Sequence, residues 1–162
     1  RNMPEHNTFI GIGSNLGNRI NNCKTAIQLI DSLPDTKVTK ISKWYETEFV
    51  GANNHSPLQN NYINAAIKIN TKLSPHDLLK ELLNIEKKLG RNYPRPKNTP
   101  RTIDLDILFY DDIIINDDFL TIPHPEIEKR LFVLIPLCDI AQGFSHLRDR
   151  CTIKAKVTAI NL

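Results

Sequence analysis

Asp104 and Asp106 are the sharpest chemical feature of the chain. They alternate with Ile103, Leu105, Ile107 and Phe109, the period of a strand whose successive side chains point to opposite faces. The apolar set then takes one face, and Thr102, Asp104 and Asp106 the other. At a rise of ~3.3 Å per residue the two carboxylates stand about 6–7 Å apart. Like charges that close repel unless something positive lies between them. Hard divalent cations do this, and magnesium commonly takes one or two carboxylates together with phosphate oxygens. On spacing alone a solvated strand face beside Lys or Arg fits too, as does the acid–base carboxylate pair of a hydrolase.

Arg91, Arg95, Lys97 and Arg101 lie just upstream, with Arg101 three residues before Asp104. A basic loop leading into a carboxylate strand suits phosphoryl transfer, where cations neutralise the transferring group; a solvated charged loop has the same composition. His124 stands in Ile122-Pro123-His124-Pro125, and flanking prolines restrict its backbone. A His so fixed can donate to a phosphate or serve the fold. Arg130 and Phe132 follow, offering a second cation and a ring. The glycine-rich start, Gly11-Ile12-Gly13-Ser14-Asn15-Leu16-Gly17, fails the dinucleotide fingerprint because its third glycine comes four residues after the second. There is no Walker A run, so any bound ATP is held without a P-loop. The segment reads as a tight structural turn.

These residues need elements to position them. Phe9 to Ile12 reads as a strand stopping at Gly13, and Leu16, Ile20, Cys23, Ile27 and Ile30 as one apolar helix face closed by Pro34. Val38 to Tyr45 reads as a second strand and Tyr62 to Ile69 as a third, joined by a long polar loop, Glu46 to Asn61. Ser74-Pro75-His76-Asp77 is a helix start, Leu78, Leu82, Ile85 and Leu89 its buried stripe, and Gly90 its end. Thr102 to Phe109 is the strongest strand. Asp111-Asp112 forms a turn into a return strand, Ile113 to Ile115, and Glu126 to Leu137 a short turn and a buried helix. An edge strand is expected near Ile153 to Val157. Strand-helix-strand-strand-helix-strand is the split, ferredoxin-like α+β arrangement, an antiparallel sheet with helices packed on it.

Composition sets the bounds. With 162 residues and 40% hydrophobic content, the chain suits a single domain, 1–162, with a core. The net charge of +3 is not a nucleic-acid stripe: the densest basic stretch, Lys87 to Arg101, is broken by prolines and holds one aromatic, Tyr93. A compact polyphosphate suits it as well as a nucleic-acid strand would. No apolar run approaches the ~20 residues of a membrane span, and Arg1 to Thr8 lacks the apolar stretch of a signal peptide, so the expected location is cytoplasmic. Cys23, Cys138 and Cys151 are odd in number and lack metal spacing; structural disulfides are not expected.

Together these residues resemble the 6-hydroxymethyl-7,8-dihydropterin pyrophosphokinases. The likeness runs from Gly13-Ser14-Asn15-Leu16 to about Ala141. It takes in Tyr62-Ile63-Asn64-Ala65-Ala66, Glu86, Gly90-Arg91, Thr121-Ile122-Pro123-His124 and Arg130-Leu131-Phe132. Its most specific run is Pro100-Arg101-Thr102-Ile103-Asp104-Leu105-Asp106-Ile107-Leu108. The resemblance implies transfer of the diphosphate of ATP to the pterin hydroxymethyl group in folate synthesis, giving AMP. It implies two magnesium ions on Asp104 and Asp106, Asp104 also lying on the pterin side. It implies a pterin ring between Tyr62 and Phe132, its amide edge read by Asn64 with backbone help from Thr47 and Val50. Arg91, Arg101, His124 and Arg130 would surround the phosphates, with Arg91 and Arg101 assisting catalysis. Glu86 would approach the ribose or nucleotide side, and the backbone of Ile107, with Thr121, would meet adenine. The loops at Glu46–Asn61 and Tyr93–Pro100 would close over the substrates. The implied partners are small molecules, without nucleic acid or membrane, and the protein is expected to be a monomer. The chain departs from many members at Asn98, where Trp is common, and at Tyr93, Phe119, Pro125, Glu48 and Phe49.

Overall fold

The computed structural model describes residues 3–47, 61–90, 102–127, 131–141 and 157–160. Strand β1 (His6–Ser14) leads into helix α1 (Arg19–Asp31). Strands β2 (Thr36–Ile41), β3 (Trp44–Thr47) and β4 (Tyr62–Thr71) follow, then helix α2 (Pro75–Lys88). After it come β5 (Asp104–Tyr110), the short β6 (Ile115–Asn116) and β7 (Thr121–Ile122), helix α3 (Leu131–Ile140) and β8 (Val157–Ile160).

Local chemistry sets the helix starts. The Asn18 side chain accepts the Asn21 N–H and caps α1, just after Gly17 turns with a left-handed φ of 71°. Leu16, expected on the apolar helix face, precedes this cap and is 41% exposed; Cys23, Ala26, Ile27 and Ile30 carry the buried stripe. Ser74 caps α2 by accepting the Asp77 N–H, with Pro75 at the first position.

The main sheet runs β5-β1-β4-β3-β8, with β2 paired to the far end of β4, and the pairs are antiparallel. Merging β2 with β3 recovers the expected ferredoxin-like order. The expected strand Val38 to Tyr45 is in fact broken at Ser42-Lys43. There Ser42 gives its N–H to Ala66 O, while its hydroxyl accepts the Ala66 N–H, so a side chain replaces one ladder bond and lets the strand bend. β1 extends beyond its expected limits, because β4 and β5 pair with it on both sides as far as Gly13. The expected return strand Ile113–Ile115 does not join the main sheet: β6 pairs only β7, in a two-stranded ribbon. β8 lies later than expected and pairs β3.

The sheet has two covered faces. Ile10, Ile12, Ile63, Ile67, Ile69, Leu105 and Ile107 pack with the buried stripes of α1 and α2 into the main core. On the opposite face Leu108 packs with Ile127 and with Leu134 and Leu137 of α3, flanked by Phe9 and Phe109. Phe109 therefore does not share the face of Ile107, as alternation alone predicts. A register shift between Phe9 and Ile10 leaves β5 with an extra residue. This bulge puts Leu108 and Phe109 on one face and sends Tyr110 into the main core. Asp139 ties α3 down by accepting the Tyr45 hydroxyl at 2.7 Å and the Lys43 N–H at 3.1 Å. No helix among the described residues is long and apolar enough to cross a membrane.

Candidate active site

The register places the chemistry-bearing residues in one row. β1 is flanked by β5 and β4, so Gly13 lies between Asp104 and Asn64, and Gly11 between Asp106 and Ala66. Residues directly opposite share a face. The carboxylates thus project from the face opposite Ile12 and Leu105, as their alternation predicts, and both are half-buried.

β5 is the sheet edge on this side, and two of its backbone groups bond to neighbours outside the sheet. Glu86, expected near the ribose, is only 2% exposed, and its carboxylate accepts the Leu105 N–H at 2.8 Å. In this structure its side chain is committed to the backbone between the two aspartates. An acid at the helix position after Ile85, within the stripe of Leu78 and Leu82, was the sequence signal for this. Leu108 O, further along, accepts the His124 N–H at 3.0 Å, which anchors the segment after β7 to β5. The Ile122–Pro123 bond is cis.

His124 is oriented twice. Its backbone is held by Leu108, and its Nδ1 accepts the Glu126 N–H at 3.2 Å, so in the neutral ring the hydrogen sits on Nε2. That Nε2 lies 3.9 Å from Asp106 Oδ1. The His therefore presents a donor beside the second carboxylate. Ile107 is buried on β5, and Thr121 is half-buried on β7, a strand that packs against β5.

Across Gly13, Asn64 is 6% exposed and donates from Nδ2 to Thr47 Oγ1 at 2.9 Å. Thr47 is itself buried and pairs with Tyr62. Tyr62, at the start of β4, and Phe132, in the first turn of α3, are both half-buried. The structure thus unites Asp104, Asp106, His124, Ile107 and Thr121 at the β5 edge, and Thr47, Asn64 and Tyr62 one strand beyond Gly13. Val50, Arg91, Arg101 and Arg130, with the loops expected to close over substrates, lie outside the described residues. Gly13, between Asp104 and Asn64, was missed as a residue of this face. The Gly-x-Gly period, in step with Asp-x-Asp, was the available signal.

The family described as HPPK, 7,8-dihydro-6-hydroxymethylpterin-pyrophosphokinase, matches residues 9–142. A 2-amino-4-hydroxy-6-hydroxymethyldihydropteridine pyrophosphokinase of Synechocystis is 38% identical over 91% of this chain and 73% of its own length. A folate synthesis bifunctional protein of Arabidopsis thaliana is 47% identical over 81% of this chain, which spans only 26% of that relative. The crystal structure of Plasmodium falciparum HPPK-DHPS with pterin and p-hydroxybenzoate matches with a TM-score of 0.69 at 15% identity, covering 91% of this chain and 42% of that one; at that identity the likeness concerns the fold. This chain belongs to the 7,8-dihydro-6-hydroxymethylpterin-pyrophosphokinase family, which uses ATP to place a diphosphate on a hydroxymethylated dihydropterin in folate synthesis.

Proposed function

We propose that the chain performs this transfer with two magnesium ions on Asp104 and Asp106, the polyphosphate beside His124, and the pterin against Tyr62, Asn64 and Phe132. The observation that carries the reading is the row Asp104–Gly13–Asn64, with His124 at the Asp106 end. The donor set fits magnesium. Among the described residues no three His, Cys, Asp or Glu side chains gather into a closed cage, and a hard ion that draws its other ligands from water and phosphate asks for one or two carboxylates only. Such ions, when bound, neutralise charge on the transferring diphosphate and on the leaving AMP.

The chain's own residues do the rest by positioning. His124 offers Nε2–H to a phosphate oxygen, its ring held from behind by Glu126. Glu86 supports the backbone between the carboxylates. Asn64, fixed by Thr47, meets the pterin amide edge, with Thr47 and Val50 beside it. The backbone of Ile107, with Thr121, lines the adenine side. Arg91, Arg101 and Arg130 are assigned to the phosphates as the family resemblance implies. Alignment and charge neutralisation are the main contributions in phosphoryl-type transfer.

The assay is direct: incubate the protein with ATP, magnesium and 6-hydroxymethyl-7,8-dihydropterin, then separate the nucleotides. AMP in equal amount to pterin diphosphate, abolished by chelating magnesium, supports the proposal. ADP with a pterin monophosphate overturns the reaction, and undiminished turnover under chelation overturns the metal assignment.

A further inference from the structure

We infer that Gly13 is a specificity-determining position of the pterin subsite, its missing side chain leaving the flat floor on which a fused, planar bicycle can lie between Asp104 and Asn64. The inference rests on the reading above, in which Asn64 and Tyr62 meet the pterin. Three observations carry it. Gly13 is the register partner of both Asp104 and Asn64, and strands spaced about 4.8 Å apart place those two residues about 9–10 Å from each other. A Cβ built on Gly13 would stand 3.0 Å from Asn64 Oδ1 and 3.6 Å from Tyr62 Cδ1, the first well inside ordinary van der Waals contact. And Asn64 cannot easily yield, being 6% exposed and bonded through Nδ2 to the buried Thr47 at 2.9 Å.

The glycine is not there for its backbone. Among the described residues the left-handed glycines are Gly17 and Gly90, so an alanine at 13 is conformationally permitted. A glycine inside a strand otherwise weakens it, and commonly marks a close approach of ligand or backbone. Gly11, two residues earlier on the same face, gives the contrast. The three atoms nearest a Cβ there belong to the Leu108 side chain, at 3.4 Å and beyond, and its neighbour on β4 is Ala66 rather than a polar reader.

Four proteins test this: wild type, Gly13→Ala, Gly11→Ala and Asn64→Ala. Each is titrated with 6-hydroxymethylpterin in the presence of magnesium and a non-hydrolysable ATP analogue, and separately with that analogue alone. Gly13→Ala should weaken pterin binding about tenfold, the scale of one lost hydrogen bond, with nucleotide affinity held within about twofold; Gly11→Ala should leave pterin affinity near wild type. If Asn64→Ala loses pterin affinity while folded Gly13→Ala keeps it, the inference fails and the site reading stands. If neither changes pterin affinity, the assignment of Asn64 fails and the inference with it. Should Gly13→Ala unfold, the contact is read from stability by a double-mutant cycle. Asn64→Ala added to it must then restore the unfolding midpoint toward that of Asn64→Ala alone, and absence of that coupling overturns the inference.

Discussion

Asp104 and Asp106 face away from the main core, so removing one should cost chemistry rather than folding. Asp104→Ala and Asp106→Ala each remove one carboxylate from the proposed site face and leave the main core untouched. Turnover should fall by about 10²–10³ or more, the cost of deleting one preorganised electrostatic contact, while urea denaturation still shows a folded protein. Near wild-type turnover at limiting magnesium would end the metal role. His124 allows a finer test. With Nδ1 occupied by the Glu126 N–H, the working atom is Nε2, and the glutamine amide nitrogen reaches that position whereas the asparagine nitrogen mimics Nδ1. His124→Gln should therefore retain about tenfold more kcat/KM than His124→Asn, roughly the worth of one hydrogen bond to a charged group. Equal losses would place the function of the ring elsewhere. At this scale the sequence was readable wherever alternation governs. The faces of Asp104 and Asp106 followed from period two; Gly13, read on the same rule, shares the face of the proposed site, but a glycine at the apparent end of a short apolar run looks like a terminator.

Elements were readable to the extent that their own residues form them. α2 carries cap, proline and stripe within its own sequence and lies where those signals put it. β1 and the β2–β3 pair did not, because their limits come from partners: β4 and β5 extend β1 to Ser14, and the Ser42 hydroxyl, bonded to Ala66, breaks the next strand. The bulge in β5 is of the same kind, arising from pairing with β1; nothing in Leu108-Phe109-Tyr110 announces it. Glu86 is the residue by which α2 controls β5. Glu86→Ala leaves the Leu105 N–H without its acceptor at a buried position, which costs about 1–3 kcal/mol. Glu86→Gln keeps a carbonyl acceptor and should lose less. Because Leu105 separates the two aspartates, the alanine variant should also lose turnover at saturating substrate, more than its stability loss alone explains. Urea denaturation and kcat, measured on both variants, check the order; an alanine variant as stable and active as the glutamine one would remove Glu86 from the support of β5.

For the whole molecule, the sheet has two covered faces: α1 and α2 pack on the main core, and the opposite side carries the smaller cluster with α3 and the proposed site. The titration of the core side should then appear in stability and not in catalysis. Cys23 lies fully buried in α1, and burial pushes its thiol from 9.0 up to about 12, with Arg19 opposing weakly. Tyr110, turned into the same core by the bulge, donates its hydroxyl to Leu73 O at 2.6 Å. Burial first, and the neighbouring Asp111 carboxylate second, raise that hydroxyl from 10.0 to about 12. Both groups are held in their protonated forms by the fold, whereas the unfolded chain releases these protons near the ordinary values. Between about pH 9 and about pH 12 the folded state therefore binds more protons, and stability must fall as pH rises through that window. Below about pH 9 the contribution is complete and flat. Urea midpoints taken at about pH 8, 9.5 and 10.5 should decline, with Cys23 governing the first part of the fall and Tyr110 joining near pH 10. Tyr110→Phe should be less stable than wild type at neutral pH by about 1 kcal/mol, for the lost hydrogen bond, yet show a shallower decline above about pH 10. An unchanged slope in that variant would mean that the fold does not hold the Tyr110 proton, leaving Cys23 to account for the alkaline loss.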